Sequence, residues 1–309
     1  MTSLVRFFAC LVFGAAVADT QAEGPKRARP PAWTDDQRDL FPADARELLV
    51  GPRPDFAAQK SQAVASGGNS SSEDAVASYK WSDLVAAETV ETEIKRQAMQ
   101  VQQLVQSATS FKGGGYREAR DAFSVLAVMF SIAAEYDGDA RWQDSAAGLS
   151  ALFSRAGANC KVGTDGTFRE AAARSEDLAE LIRGGRPDVP NAPPDRTWGD
   201  VADRSPLMRR MEVCQQERIS PLMGSEREFS RGAEDAQHEA EVLAALAEVI
   251  IREGFDDADD DEYAAHSRRL RDAAADLSQA AEQDNYESAR QALGQAGQAC
   301  SACHDEYRG

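Results

Sequence analysis

The stretch that decides the fold is the last one: Tyr286-Glu-Ser-Ala289-Arg-Gln-Ala292-Leu293-Gly-Gln-Ala296-Gly-Gln-Ala299-Cys300-Ser301-Ala302-Cys303-His304-Asp-Glu-Tyr307. Tyr286, Leu293, Cys300 and Tyr307 recur every seven residues, and Ala289, Ala296 and His304 fill in the same stripe, which is the face of an amphipathic helix packed in a bundle. Upstream the same grammar runs back to Trp81, with abundant Ala, Leu, Glu and Gln and apolar residues three and four apart.

Breakers divide this helical region into two sets of four. The first set is predicted at about 81–111, 116–136, 139–159 and 165–183, cut by Gly113-Gly114-Gly115, Asp137-Gly138 and Gly163. The second is predicted at about 205–220, 225–254, 260–283 and 285–308, with Ser205-Pro206 as N-cap and first-turn proline and Ser220-Pro221 ending or bending its first helix. Between them, Gly184-Gly185-Arg186-Pro187 through Pro193-Pro194 reads as an interdomain linker. The fold class is therefore all-α: two tandem up-down-up-down four-helix bundles, at 79–184 and 201–309, joined by a linker at 185–200.

The halves also look related. Val125–Ile132 matches Leu243–Ile250 in pattern, each is followed by an aromatic-Asp turn (Tyr136-Asp137 and Phe255-Asp256), and each half closes on Arg-Gly. Aligning those ends puts Ser175, Leu178 and Ala179 where Cys300, Cys303 and His304 stand.

Ahead of the helices, Arg6 precedes the apolar run Phe7–Val17, and Ala16-Val17-Ala18 supplies a small-x-small cleavage pattern, so residues 1–18 read as a signal peptide cut after Ala18. Cys10 lacks a convincing lipobox. Residues 19–78, with Pro30-Pro31, Pro52-Arg53-Pro54 and Ser66–Ser72, read as a flexible arm in which Trp33–Leu49 holds most of the sizeable apolar groups. No stretch reaches the roughly 20 apolar residues of a membrane span. The 309 residues carry 34 Lys and Arg against 52 Asp and Glu, a formal charge of −18 that argues against nucleic acid as a partner. The expected location is periplasmic or otherwise exported, where thiols meet oxidising conditions.

Cys300-Ser301-Ala302-Cys303-His304 is the one specific chemical signal. Its spacing is that by which two thiols add to the vinyl groups of a haem while the adjacent imidazole reaches the iron. On a helix, Cys300 and His304 are one turn apart with Cys303 beside them. A thioredoxin-type redox pair would want a strand-to-helix turn, and a zinc site would need a further donor, with His238 and His266 the remaining histidines. One such motif implies one covalent haem c.

Cys300 to Arg308, with Tyr307 and Arg308 following the histidine at the end of a four-helix segment, resembles the class II c-type cytochromes, the cytochrome c-prime family, over about residues 200–309. The resemblance implies an antiparallel bundle with haem at one end, His304 as proximal ligand and Arg308 near the haem edge. The extra N-terminal half and the arm depart from that pattern.

In an up-down-up-down bundle the end of the fourth helix lies level with the start of the first and the start of the third. Met208 and Met211 start the first helix, and Tyr263 and His266 start the third. His238 lies about 12 residues from that end, roughly 18 Å at 1.5 Å per residue, and is excluded. Met211, sharing a face with Leu207 and Cys214, is the first candidate for a distal ligand and Met208 the weaker one; both compete with a core-filling role and with an empty distal site. His266 reads as a satisfied, partly buried histidine. Asp256 to Glu262 read as a solvated helix start ahead of a docking patch for a basic protein. Cys160 and Cys214 read as buried thiols.

The functional expectation is an exported monohaem electron carrier with no enzymatic activity: phosphate loops, Ser/His/Asp orders and a distal His-Arg pair are missing. The alternatives are a five-coordinate haem module binding NO or CO, and a non-redox partner-binding helical protein. The redox partner and the oligomeric state, a homodimer among the options, are not legible.

Overall fold

The computed structural model describes residues 80–189 and 191–308. The proposed leader, Cys10, the arm with Trp33–Leu49, Pro190 and Gly309 lie outside the described residues. Among the described residues the periodicity is realised as nine α-helices of more than one turn: α1 Ala87–Leu104, α2 Tyr116–Glu135, α3 Gln143–Asn159, α4 Asp165–Ile182, α5 Arg204–Glu212, α6 Glu226–Arg231, α7 Ala233–Val249, α8 Asp261–Glu282 and α9 Tyr286–Tyr307. No described residue is in a strand, and no described helix is long and apolar enough to cross a membrane.

Local chemistry sets the boundaries. Thr164, Ser225, Asp260 and Asn285 each accept a backbone N–H of the first turn of the following helix, answering donors that a helix start leaves unpaired. The sequence expectation differs in three places. The segment expected at 81–111 opens with a 3₁₀ turn, Trp81–Asp83, and its main helix, α1, ends at Leu104. Helix α5 begins at Arg204 after Asp203, so Ser205 is a first-turn residue whose hydroxyl accepts from Arg209 at 2.7 Å rather than an N-cap. The segment expected at 225–254 is two helices, because Gly232 ends α6 and starts α7. Beyond Glu212 the chain continues as a π-helix, Val213–Ile219, and a 3₁₀ turn, Ser220–Gly224, that Pro221 opens.

In the first half α1 packs along α2 and α4, α2 along α3, and α3 touches α4. Phe123, Phe130 and Phe153 fill its centre, with ring centroids of the Phe123–Phe153 and Phe130–Phe153 pairs 6.2 and 5.4 Å apart. In the second half α7 packs against the π-helix and α8, and α8 runs along α9. The seam between these two helices is rich in alanine: Ala273, Ala274, Ala280 and Ala281 are buried on α8, and the buried residues of α9 are Ala289, Ala292, Ala296 and Ala299. Small side chains let those two backbones approach closely.

The two segments that look alike in sequence, Val125–Ile132 and Leu243–Ile250, form the most enclosed parts of α2 and α7. Helix α2 also contacts α5, and α1 contacts α7, so residues of both halves join one continuous apolar core from Trp81 to Ala299. Exposed pairs rim this junction: Arg209 with Asp121, and Arg120 with Asp203. The described residues from Arg183 to Arg196 are without helix, but they lead into fixed contacts: Arg196 donates to Ser150 Oγ at 2.9 Å, and the Trp198 ring lies tilted against Trp81 with centroids 5.4 Å apart.

Candidate haem-attachment site

The last two turns of α9 carry Cys300, Cys303, His304 and Tyr307. The buried stripe is one step round the helix from the seven-residue repeat: Ala289, Ala292, Ala296 and Ala299 are covered, whereas Cys300, Cys303 and Tyr307 are partly buried beside them and His304 is exposed. The thiols therefore border the core and the imidazole stands at the solvent rim. Arg308 follows as the helix C-cap, its N–H donating to the His304 carbonyl at 3.2 Å, with its side chain exposed.

This end of α9 meets the start of α8 and the loop before it. Tyr307 donates to Asp260 Oδ1 at 2.9 Å and its ring stands edge-on to Tyr263 at 5.3 Å. Asp260 also accepts the N–H groups of Glu262 and Tyr263. The Tyr263 amide, the Tyr307 hydroxyl and the Glu262 amide hold its carboxyl below the usual range. Arg204, the first residue of α5, donates to the Asp256 carbonyl at 3.1 Å and Asp257 Oδ2 at 3.0 Å and lies 5.4 Å from the centre of the Tyr263 ring. The starts of α5 and α8 thus lie at the cysteine end.

Three features bear on what the site can take. Both thiols are free. Burial pushes the Cys300 thiol up to about 11 and raises Cys303 against the opposing pull of Arg204, so neither resembles the low-pKa cysteine of a thiol redox pair. Among the described residues no three His, Cys, Asp or Glu side chains cluster as metal ligands. Beside them, the Tyr263 hydroxyl is buried without a well-formed hydrogen bond, with the Arg204 guanidinium beside it, a polar atom of the kind left under-satisfied where a further group belongs. Two free thiols, a neighbouring imidazole and this under-satisfied hydroxyl fit a covalently attached haem.

Residues 201–308 match the Cytochrome C' family model. The match begins just ahead of α5 and includes none of α1 to α4, so the C-terminal third carries the likeness to a haem-binding class II c-type cytochrome. No curated protein and no solved structure matches the chain.

The remaining candidates of the Cytochrome C'-like region fall into place around this end. Met211 is 5% exposed within the core and Met208 packs against it partly buried, so both are in the apolar cluster that Cys300, Cys303 and Tyr307 border. His266 is engaged at both nitrogens: Arg269 lies 3.2 Å from Nδ1, and Glu306 Oε2 lies 3.2 Å from Nε2. Because an arginine can only donate, Nδ1 accepts and Nε2–H serves Glu306. His238 is buried on α7 and pairs at 3.1 Å with Glu93 of α1. In the first half, Ser175 and Leu178 are buried core residues of α4 at the positions equivalent to the cysteines. Cys160 and Cys214 are buried free thiols. Sequence reading passes over Arg204, Arg269 and Glu306 at this end, and Glu93 beside His238; each is an unremarkable charged residue until the fold gives it partners.

Proposed function

We propose that residues 201–309 form the haem-carrying member of two tandem four-helix bundles in an exported electron-transfer protein with one covalent haem c and no enzymatic activity. The observation that carries this reading is the pair of free thiols, Cys300 and Cys303, bordering the core beside the under-satisfied Tyr263 hydroxyl within the Cytochrome C'-like stretch. Cys300 and Cys303 would hold the group by thioether bonds, and His304, one residue on, would ligate its iron. Haem supplies the one-electron ferric/ferrous couple that side chains alone lack. The chain contributes anchoring, exclusion of water by the alanine-lined core, and a surface of net charge −18 that favours a basic redox partner. Residues 1–18 would direct export, and 79–184 would serve as a haem-less bundle.

A second reading, a five-coordinate haem that binds NO or CO, gains support from the engagement of both His266 nitrogens, which takes that imidazole away from the sixth position; ligation by Met211 or Met208 would count against it. Haem quantitation after expression with a haem-attachment system tests both. One haem per chain that resists extraction, lost on replacing Cys300 and Cys303 by serine, is expected; two haems, or none, would overturn the proposal. A reduced spectrum unchanged by carbon monoxide supports electron transfer, and ready carbon monoxide binding supports the second reading.

A further inference from the structure

A cluster of ionised side chains lies buried where α1, α5 and α7 meet. Glu93 of α1 is fully buried; its Oε1 accepts Arg210 Nε at 2.7 Å and Gln97 Nε2 at 2.8 Å, and its Oε2 accepts Arg210 NH2 at 3.0 Å and faces His238 Nε2 at 3.1 Å. Arg210 also donates through NH1 to Glu239 Oε2 of α7 at 2.7 Å and to Cys214 Sγ at 2.9 Å. Arg96 of α1 closes the set on the other Glu239 oxygen at 2.9 Å.

Such a cluster is a poor source of stability, because apolar residues of the same volume often do as well, but it is demanding about geometry. A guanidinium bound through two parallel N–H···O contacts to one carboxylate and through its third nitrogen to another has its plane fixed. Arg210 stands one residue before Met211 and two after Met208. Fixing its plane against α1 and α7 fixes the rotation of α5, and with it the face that carries Leu207, Met208 and Met211 into the core bordered by Cys300, Cys303 and Tyr307.

We propose that Glu93, in the half without a Cys-x-x-Cys-His motif, is a positioning residue for the haem-side helix α5, so that the first half sets the geometry of the second. The haem arm of this inference rests on the function proposed above; the α5 arm does not.

Amide hydrogen exchange and the ferric absorption spectrum of the full-length protein, wild type against Glu93→Gln, provide the test. Glu241→Gln is the control: Glu241 Oε2 accepts the Ala86 N–H at 3.0 Å, a contact between the halves that bypasses α5. Glu93→Gln should speed exchange over residues 204–219 on the order of a hundredfold relative to α3 and alter the ferric spectrum, since it leaves buried Arg210 short of its main counter-charge. Glu241→Gln should do neither. Unchanged α5 protection in Glu93→Gln, or the same α5 loosening in Glu241→Gln, would overturn the proposal. Where Glu93→Gln does not fold, Arg210→Lys, which keeps the charge but loses the fork, should give the same α5-specific loosening, and its failure to do so refutes the inference. A chain that carries no haem defeats the functional reading, while exchange over 204–219 still decides this one.

Discussion

At Tyr263 a single atom makes a signed prediction. A buried hydroxyl left under-satisfied costs about 1–3 kcal/mol relative to one that is satisfied. Tyr263→Phe should therefore raise the unfolding temperature of a Cys300→Ser/Cys303→Ser chain, and lower it in the haem-loaded protein if the attached group answers the hydroxyl; thermal melts of the four proteins check both signs. Met211 offers a second residue-scale test. As a core side chain 5% exposed, its replacement by alanine should cost about 2–5 kcal/mol whatever its other duties. A ferric spectrum that turns high-spin at the same time identifies it as the sixth ligand, and an unaltered spectrum leaves it as packing. Thiol chemistry adds a third: burial pushes Cys160 up to about 12, so the folded chain should leave this thiol unalkylated at pH 8 and expose it only on unfolding.

The elements of the second half depend on smallness and on caps. Ala296 is fully buried on the face of α9 that borders α8, and Ala296→Leu should cost about 1–3 kcal/mol by overpacking. Asn285 accepts the Ser288 N–H at 3.1 Å and starts α9; Asn285→Ala should cost about 1 kcal/mol, read from denaturant midpoints at constant slope. Gly199 and Gly254 join the entry to the second half to the loop ahead of α8. Gly199 donates its N–H to the Glu253 carbonyl at 3.2 Å, and a Cβ on it would stand 1.9 Å from the Gly254 carbonyl oxygen, itself on a residue with φ of +97°. Gly199→Ala should therefore loosen the Asp256–Asp260 turn that holds Arg204 and Tyr307.

At the scale of the molecule, the shared core decides how the chain responds to acid and to proteases. Burial alone would raise the carboxyl of Glu93, yet His238, Arg210 and Gln97 together hold it well below the usual carboxylate range. A group depressed in the folded state contributes stability above its unfolded pKa of about 4.5 and loses it as pH falls toward the folded value. Stability of the wild type should accordingly decline below about pH 4.5, and more steeply than that of Glu93→Gln, as measured by urea midpoints across pH. The breaker-rich stretch from Arg183 to Arg196 should be nicked first by protease. Because one core and the Glu93–Arg210 pair cross the junction, the two fragments should stay associated on gel filtration and separate only in denaturant.

The sequence by itself determined the helical class, the place of the eight helical segments though not the breaks inside those expected at 81–111, 205–220 and 225–254, and the Cys300, Cys303 and His304 signal. Each of these rests on local information: periodicity of three and four, glycine and proline as breakers, and the fixed spacing of three side chains on one helix. The Gly232 break was written in the sequence too, but one glycine in a strongly helical window reads as tolerated. The tertiary structure alone decided which face of α9 is covered, since the exposure of His304 follows from where α8 lies and not from the heptad. It alone buried the Tyr263 hydroxyl without a well-formed hydrogen bond and gave both His266 nitrogens a partner. It alone brought Glu93 to Arg210 across 117 positions of chain, a pairing between charged residues on separate amphipathic helices that no local pattern specifies, because the partner of a buried charge is chosen by packing.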